Sequence, residues 1–444
     1  MKLDFLHKQS ENSRLLLVFN GWSVPAPASG SIVGLPGYDI AVVSEYDDFT
    51  LPPVGNYVEV VVLAWSLGVH AAELALRETT LPLTLTIAVN GTPSPISDTE
   101  GIPESVFRLT AERLTEQSLV KFRRRMGASD MPRGSRTIEA LRRELLNFPS
   151  EKVEFRWDRA VISTDDKIFP PENQRRAWTG RAEITEIEGS HTPDFHSIID
   201  GFLINKERVG SRFARGRDTY DETASVQARV ADHLMELWLK HKRGEIGGAT
   251  ILEIGVGSGM FTALYKSKLK PSELILWDIS PTESKFGPIC EADGETAIRQ
   301  IASGTLSVVA SASTIQWFNS PAAFLIQVER VLAPEGLAVL STFGPETFRE
   351  LTACGVTPLP YLSIESWRRI VPAGFEILEL HGGKMVKVFD SPMDALRHCR
   401  ATGVNGRPST VSVREIERRW ERRPDGRVSL TFEPIYIILR KKAD

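Results

Sequence analysis

Two short stretches carry residues whose types and spacing could do chemistry. In VLAWSLGVH (62–70), a β-branched run leads into Ser66, Gly68 follows by two, and LGVHAAELAL reads as a helix. A serine on so sharp a strand-to-helix turn exposes its hydroxyl and sets the backbone N–H of Leu67 where an oxyanion would form. Before the turn stands Ala64, small enough for close approach. In ILEIGVGSG (251–259), Glu253 lies in a strand, and Gly255, Gly257 and Gly259 lie in the turn after it. Glycines there permit positive φ and remove Cβ atoms where a cofactor must lie against backbone. Each signal has a plainer reading. Serines often follow strands only as helix caps, and a GxGxG turn also suits a dinucleotide.

Partners separate these readings. A serine hydroxyl needs a base to become a nucleophile, and an acid to orient that base. His191, in EGSHTPDF, follows a strand ending near Ile187, with His196 as its rival; His70, inside the elbow helix, reads as structural. Two acids stay open: Asp166 in TDDKIFPPENQ, and Asp130 in MGASDMP. A second oxyanion donor is expected from FNGW (19–22), where Gly21 permits a turn that aims the N–H of Trp22. On the glycine side, Asp278 ends the strand LILWD, within range of a ribose hydroxyl pair, and Asp293 in CEADGE follows a further short strand.

These residues must be held by two α/β units. Runs 14–20, 39–44, 57–65 and 83–90 are short and β-rich, separated by helical or loop segments, which is the rhythm of a parallel sheet. Strands return near 159–164 and 181–189, and a second rhythm begins after a helix at 220–241, with strands at 250–255, 273–280, 306–313, 336–343 and 432–441. The 444 residues exceed one ordinary α/β core. The expected division is 1–202 and 203–444, with an arginine-rich helical insertion at about 104–148. Formal net charge is −4, so no positive excess points to nucleic acid or membrane. The three cysteines, at 290, 354 and 399, form no CxxC pair, which speaks against a disulfide framework or a zinc site. No segment reads as a signal peptide or membrane span, so a cytoplasmic protein is expected.

The stretches LLLVFNGWSVP, VLAWSLGVHAAE, LVKFRRRM, DKIFPPENQ and IEGSHTPDF resemble the BioG family of pimeloyl-[acyl-carrier protein] methyl ester esterases. The resemblance implies an α/β-hydrolase with Ser66 as nucleophile and His191 as base, and leaves Asp130 and Asp166 both open as the acid. SRFARGRDTYDETASVQARVADHL, ILEIGVGSG, SASTIQWF and RVLAPEGLAVLSTFGPETFREL resemble BioC, the malonyl-[acyl-carrier protein] O-methyltransferase. That implies a class I, Rossmann-like methyltransferase using S-adenosylmethionine, with S-adenosylhomocysteine as product and no metal. Glu253, Gly255, Gly257, Asp278 and Asp293 would line the cofactor site, with Tyr220 and Gln227 closing over it. Two departures from that pattern are Leu306–Ser307 at a strand start and Glu335–Gly336 in a turn. Trp317 is a candidate pocket wall, and Arg400 and Lys384 are candidate cations for the substrate carboxylate. The implied partner is an acyl carrier protein bearing malonyl or pimeloyl methyl ester on phosphopantetheine. Arg123, Arg124, Arg125, Arg142 and Arg143, with Arg133 and Arg136, are either a solvated helix face or its dock.

Overall fold

The structure is a computed structural model that describes residues 1–9, 12–25, 35, 37–129, 134–242, 249–402 and 411–443; for 216–222 it describes the backbone alone. Asp130 and Arg133 lie outside the described residues, as does the side chain of Tyr220. The chain divides into two compact units, Met1–Ile199 and Asp200–Asp444.

The first unit holds β1 (Lys2–His7), β2 (Arg14–Phe19), β3 (Tyr38–Ser44), β4 (Glu59–Trp65), β5 (Leu83–Val89), β6 (Arg159–Ser163) and β7 (Glu183–Ile187) in the order β1-β3-β2-β4-β5-β6-β7. All pairs are parallel except β1 on β3. Every residue of β4, EVVVLAW, is buried, as a strand covered on both faces requires. The strand order reverses between β2 and β4, so the loops leaving their carboxyl ends flank one crevice, where open α/β sheets place their sites. The helices Glu104–Glu112, Glu116–Arg125 and Ile138–Leu146 lie between β5 and β6 in the chain.

In the second unit β8 (Thr250–Ile254), β9 (Glu273–Asp278), β10 (Ile289–Glu291), β11 (Leu306–Ser311), β12 (Leu332–Phe343), β13 (Phe375–Gly382) and β16 (Pro434–Lys441) form a sheet ordered β10-β9-β8-β11-β12-β16-β13. Strand β16 runs antiparallel to both neighbours. Strands β14 (Met385–Phe389) and β15 (Val428–Phe432) make a separate antiparallel pair. Side chains alternate between faces. Ile251, Val308 and Val339 join one apolar cluster with the helix Ser225–His241, while Leu252, Val309 and Leu340 join another. This unit reverses its strand order between β8 and β11, the second place where a crevice must form.

The two departures have local consequences. The β11–β12 register shifts between Leu306 and Val308, and Ser307 Oγ accepts a bond from the Thr250 N–H at 3.3 Å. Glu335 takes a left-handed φ of 63°.

Candidate functional site

Strand β4 stays paired through Trp65, opposite Val89, and the helix Gly68–Leu76 starts three residues later. Reversing the chain in that space puts Ser66 at φ 61°, a conformation costly for a side chain with Cβ. Gly68 has no alternative, because a Cβ there would strike the carbonyls of Phe19 and Asn20. The result is a serine held on a strained turn, 6% exposed, with the loop after β2 packed against it. A Cβ on Gly21 would lie 3.2 Å from Ser66 Cβ. Among the described residues, the backbone N–H groups of Leu67 and Trp22 donate to no other protein group.

His191 follows β7 and is fully buried. Its Nε2 lies 2.9 Å from Ser66 Oγ, and its Nδ1 lies 3.0 and 2.9 Å from the two Asp166 oxygens. A carboxylate at Asp166 accepts from Nδ1–H, which fixes the tautomer whose Nε2 can take the serine proton. Asp166 is pinned in turn by the N–H groups of Ile168 (2.8 Å) and Phe169 (3.0 Å) and by Gln174 Nε2 (2.9 Å). His191 O accepts from Trp65 Nε1 at 2.8 Å and Asn90 Nδ2 at 2.9 Å, and Phe169 stacks on its ring. Gln174 and Asn90 carry no local sequence signal; only the fold brings them to the histidine. His196 is exposed, Asp165 faces Lys167 at 3.6 Å, and His70 is buried against Glu73 at 3.1 Å.

The arginine group divides, and this corrects the expectation of one docking face. Arg123 is 6% exposed, and its guanidinium donates to Ser23 O (3.1 Å) and Ala128 O (3.4 Å). Holding the carbonyls of two non-helical segments is positional work, not surface display. Arg142 is half-buried and donates to Leu114 O at 2.6 Å. Arg136 is held by Glu144 and, bidentately, by Asp47 at 2.7 Å. Arg124, Arg125 and Arg143 are exposed. The same helices brace the loop after β2: Trp22 Nε1 donates to Leu141 O at 3.2 Å, and its ring meets Phe122 edge-on.

In the second unit a cavity of about 1170 Å³, its open mouth included, lies at the ends of β8, β9 and β11. Glu253, Gly255, Gly257, Asp278, Asp293, Gln227 and Trp317 all line it, whereas Gly259, expected with them, does not and faces the Phe286 ring. Gly255, Gly257 and Gly259 have φ of 76°, 55° and 80°. A Cβ on Gly255 would collide with Thr314, whereas one on Gly257 would project into open space. The Gly257 N–H donates to Asp278 Oδ2 at 2.8 Å. Glu253 Oε2 accepts from Thr262 Oγ1 (2.6 Å) and Tyr265 OH (2.7 Å), and burial pushes its carboxyl up to about 7. Among the described residues, the buried Gln227 Oε1, Ser313 Oγ and Trp317 Nε1 have no protein partners. Open glycine backbone, three carboxylates and orphaned polar atoms fit a nucleoside with a cationic end.

Arg400 and Lys384 are exposed and line no part of this cavity, so those expectations are corrected. The described cation that does line it is Lys206, bound to Glu295 Oε2 (2.7 Å) and Asp293 Oδ1 (3.4 Å). Among the described residues no three His, Cys, Asp or Glu could together hold a metal ion, and no helix is long and apolar enough to cross a membrane.

The fold and cavity of the second unit are those of a Rossmann-like methyltransferase, preceded in the chain by a separate α/β unit. Residues 1–198 match the family described as Pimeloyl-ACP methyl esterase BioG, and residues 252–340 match a methyltransferase domain. The chain is 31% identical to the malonyl-[acyl-carrier protein] O-methyltransferase of Bacteroides fragilis (strain 638R), over 96% of this chain and 93% of the relative. It is 30% identical to the enzyme of that name from Acinetobacter baylyi, over 54% of this chain and 98% of the relative. The crystal structure of BioG from Haemophilus influenzae is 31% identical and covers 44% of this chain and 95% of its own, with a TM-score of 0.41. The chain belongs to the malonyl-[acyl-carrier protein] O-methyltransferase family, in the form in which a BioG domain precedes the methyltransferase domain.

Proposed function

We propose that the chain is a bifunctional enzyme of biotin biosynthesis. Its second unit methylates the free carboxylate of malonyl-acyl-carrier protein. Its first unit, an α/β-hydrolase, hydrolyses pimeloyl-acyl-carrier protein methyl ester to the free acid and methanol. The observation that carries the second activity is the hydrogen-bonded series Ser66–His191–Asp166 on a strained elbow.

Hydrolysis follows from that series. Ser66 Oγ attacks the ester carbonyl while His191 Nε2 takes its proton. The N–H groups of Leu67 and Trp22 stabilise the oxyanion, each by about 3 kcal/mol. His191 returns the proton to the departing methoxide, which leaves as methanol. Water then attacks the acyl-serine with His191 again as base, releasing the carboxylate and restoring Ser66.

Methyl transfer asks less of the protein. S-Adenosylmethionine, when bound, supplies an electrophilic methyl group on a sulfonium. Asp278 suits the ribose, Asp293 the adenine side, and Glu253 with Gln227 the cationic end. The malonyl carboxylate is already ionised near neutral pH and is its own nucleophile, so no general base is required. The cavity aligns the reactants and excludes water. The test is assay of both half-reactions with Ser66→Ala, which should abolish demethylation of the pimeloyl ester and spare methylation of the malonyl thioester. Residual demethylation at the wild-type rate would refute the serine mechanism.

A further inference from the structure

The helix Lys206–Thr223 presents Lys206, Val209 and Phe213 to the cavity. The adjoining face of the same helix carries Arg208, Arg212 and Arg215. At 100° per residue these three lie within about 60° of one another and span roughly 10 Å of helix. The positions three and four residues from Arg208 are Ile204, Asn205, Ser211 and Arg212; those around Arg212 are Arg208, Val209, Arg215 and Gly216. None is a carboxylate. Like charges at these spacings destabilise a helix, and here nothing along the helix offsets them at Arg208 or Arg212.

The side chains repeat the pattern. Arg212 is half-buried, and among the described residues its buried Nη1 has no hydrogen-bond partner. Burial first, then Arg208 and Arg215, pull its guanidinium below the ordinary arginine range. Arg215 donates only to the Ser211 carbonyl, at 3.1 Å, and among the described residues none of the three forms an ion pair.

We propose that Arg208, Arg212 and Arg215 form a docking strip on the methyltransferase unit for the acidic face of the carrier protein that delivers the malonyl group. This rests on the reading of the reaction given above. A two-turn strip matches successive carboxylates on a partner helix; a single phosphodiester would need about two guanidinium groups. Its place beside the cavity-lining face lets a docked carrier pass its arm to the cavity mouth. The strip is distinct in sequence and unit from Arg124, Arg125 and Arg143.

The test is methyl transfer by the full chain on three malonyl thioesters: of the carrier protein, of phosphopantetheine, and of pantetheine. The variants are Arg208→Glu/Arg212→Glu/Arg215→Glu and, to guard against misfolding, Arg208→Gln/Arg212→Gln/Arg215→Gln. The strip predicts a KM for the carrier substrate raised more than tenfold in both variants, with the two small thioesters unchanged. An unchanged carrier KM overturns it. A loss on phosphopantetheine but not pantetheine overturns it in favour of a phosphate site, and equal losses on all three overturn it in favour of a structural role. If the wild type methylates none of the three, the reaction assignment fails, and the strip is judged by binding to carrier protein lacking its arm. Loss of that binding in the glutamine variant supports the strip, and retained binding overturns it.

Discussion

A serine hydroxyl becomes useful only when other atoms define where its proton goes, and three further side chains around Ser66 do so at one remove. Asp166 orients His191, Gln174 holds Asp166, and Asn90 holds the histidine carbonyl. Asp166→Asn should therefore lower kcat for ester hydrolysis by about four orders of magnitude through the wrong tautomer, while Asp130→Asn leaves it within the same order. Steady-state kinetics on the pimeloyl ester decides between them. Arg123 and Arg124 are neighbours with opposite surroundings. Arg123→Met should lower kcat, because its guanidinium holds Ser23 beside the oxyanion loop. Arg124→Glu should instead raise KM for the carrier-bound ester and leave a small ester unaffected. In the other unit, Glu253 has a carboxyl held near 7 against an ordinary 4.5, so it is neutral below that pH in the free protein. Stability drawn from this shift is present below about 4.5 and lost as pH rises through 7. A cationic ligand favours the ionised form, so cofactor affinity should rise with pH up to about 7, at most tenfold per unit, and level off above. Glu253→Gln should flatten that slope in calorimetric titrations. Ser66 and His191 stand out in the sequence because each sits in a short motif with its own turn chemistry, whereas Asp166 stands there only beside Asp130, since both lie in turns and only the fold brings Asp166 to His191. Lys206 is not, since its meaning comes from Glu295, 89 residues away.

Glycine positions show how an element, rather than a residue, makes the second cavity. Both Gly255 and Gly257 are left-handed, yet they differ in what surrounds them. Gly255→Ala collides with Thr314 and should destabilise the unit by more than the roughly 1–2 kcal/mol of left-handed strain. Gly257→Ala meets open space, so only that strain applies, yet its methyl group occupies ligand volume. Thermal unfolding with and without cofactor separates them: Gly257→Ala should keep most of its Tm and lose the ligand-induced rise, whereas Gly255→Ala should lower the Tm itself. The parallel strands are legible because buried β-branched runs such as EVVVLAW resist other readings. Strand β1 escapes notice because it is a half-exposed antiparallel edge, and its alternation is weak. The pair β14–β15 is likewise hidden: its members are 39 or more residues apart, and neither reads as a strand without the other.

Across the whole chain, two α/β units each place their candidate site at the reversal of strand order, and the residues of the two sites do not overlap. Variants should therefore act on one reaction at a time. Gly257→Ala should spare demethylation as fully as Ser66→Ala spares methylation. Saturating cofactor, at about 100 times Kd, should add about 2.7 kcal/mol to the stability of the second unit alone. The two proposed reactions act in opposite senses on related esters, methyl addition to a short acyl carboxylate and methyl removal from a longer one. If the chain has both proposed activities, fusion equalises their amounts whether or not it changes either rate. The most direct test is mass spectrometry of the carrier protein after incubation with the purified chain. One tube holds malonyl-carrier protein and S-adenosylmethionine, and the other holds pimeloyl-carrier protein methyl ester. The account predicts a gain of one CH₂ mass in the first and a loss of one CH₂ mass in the second, the loss disappearing in Ser66→Ala. Gain without loss, or a loss that survives Ser66→Ala, would contradict it.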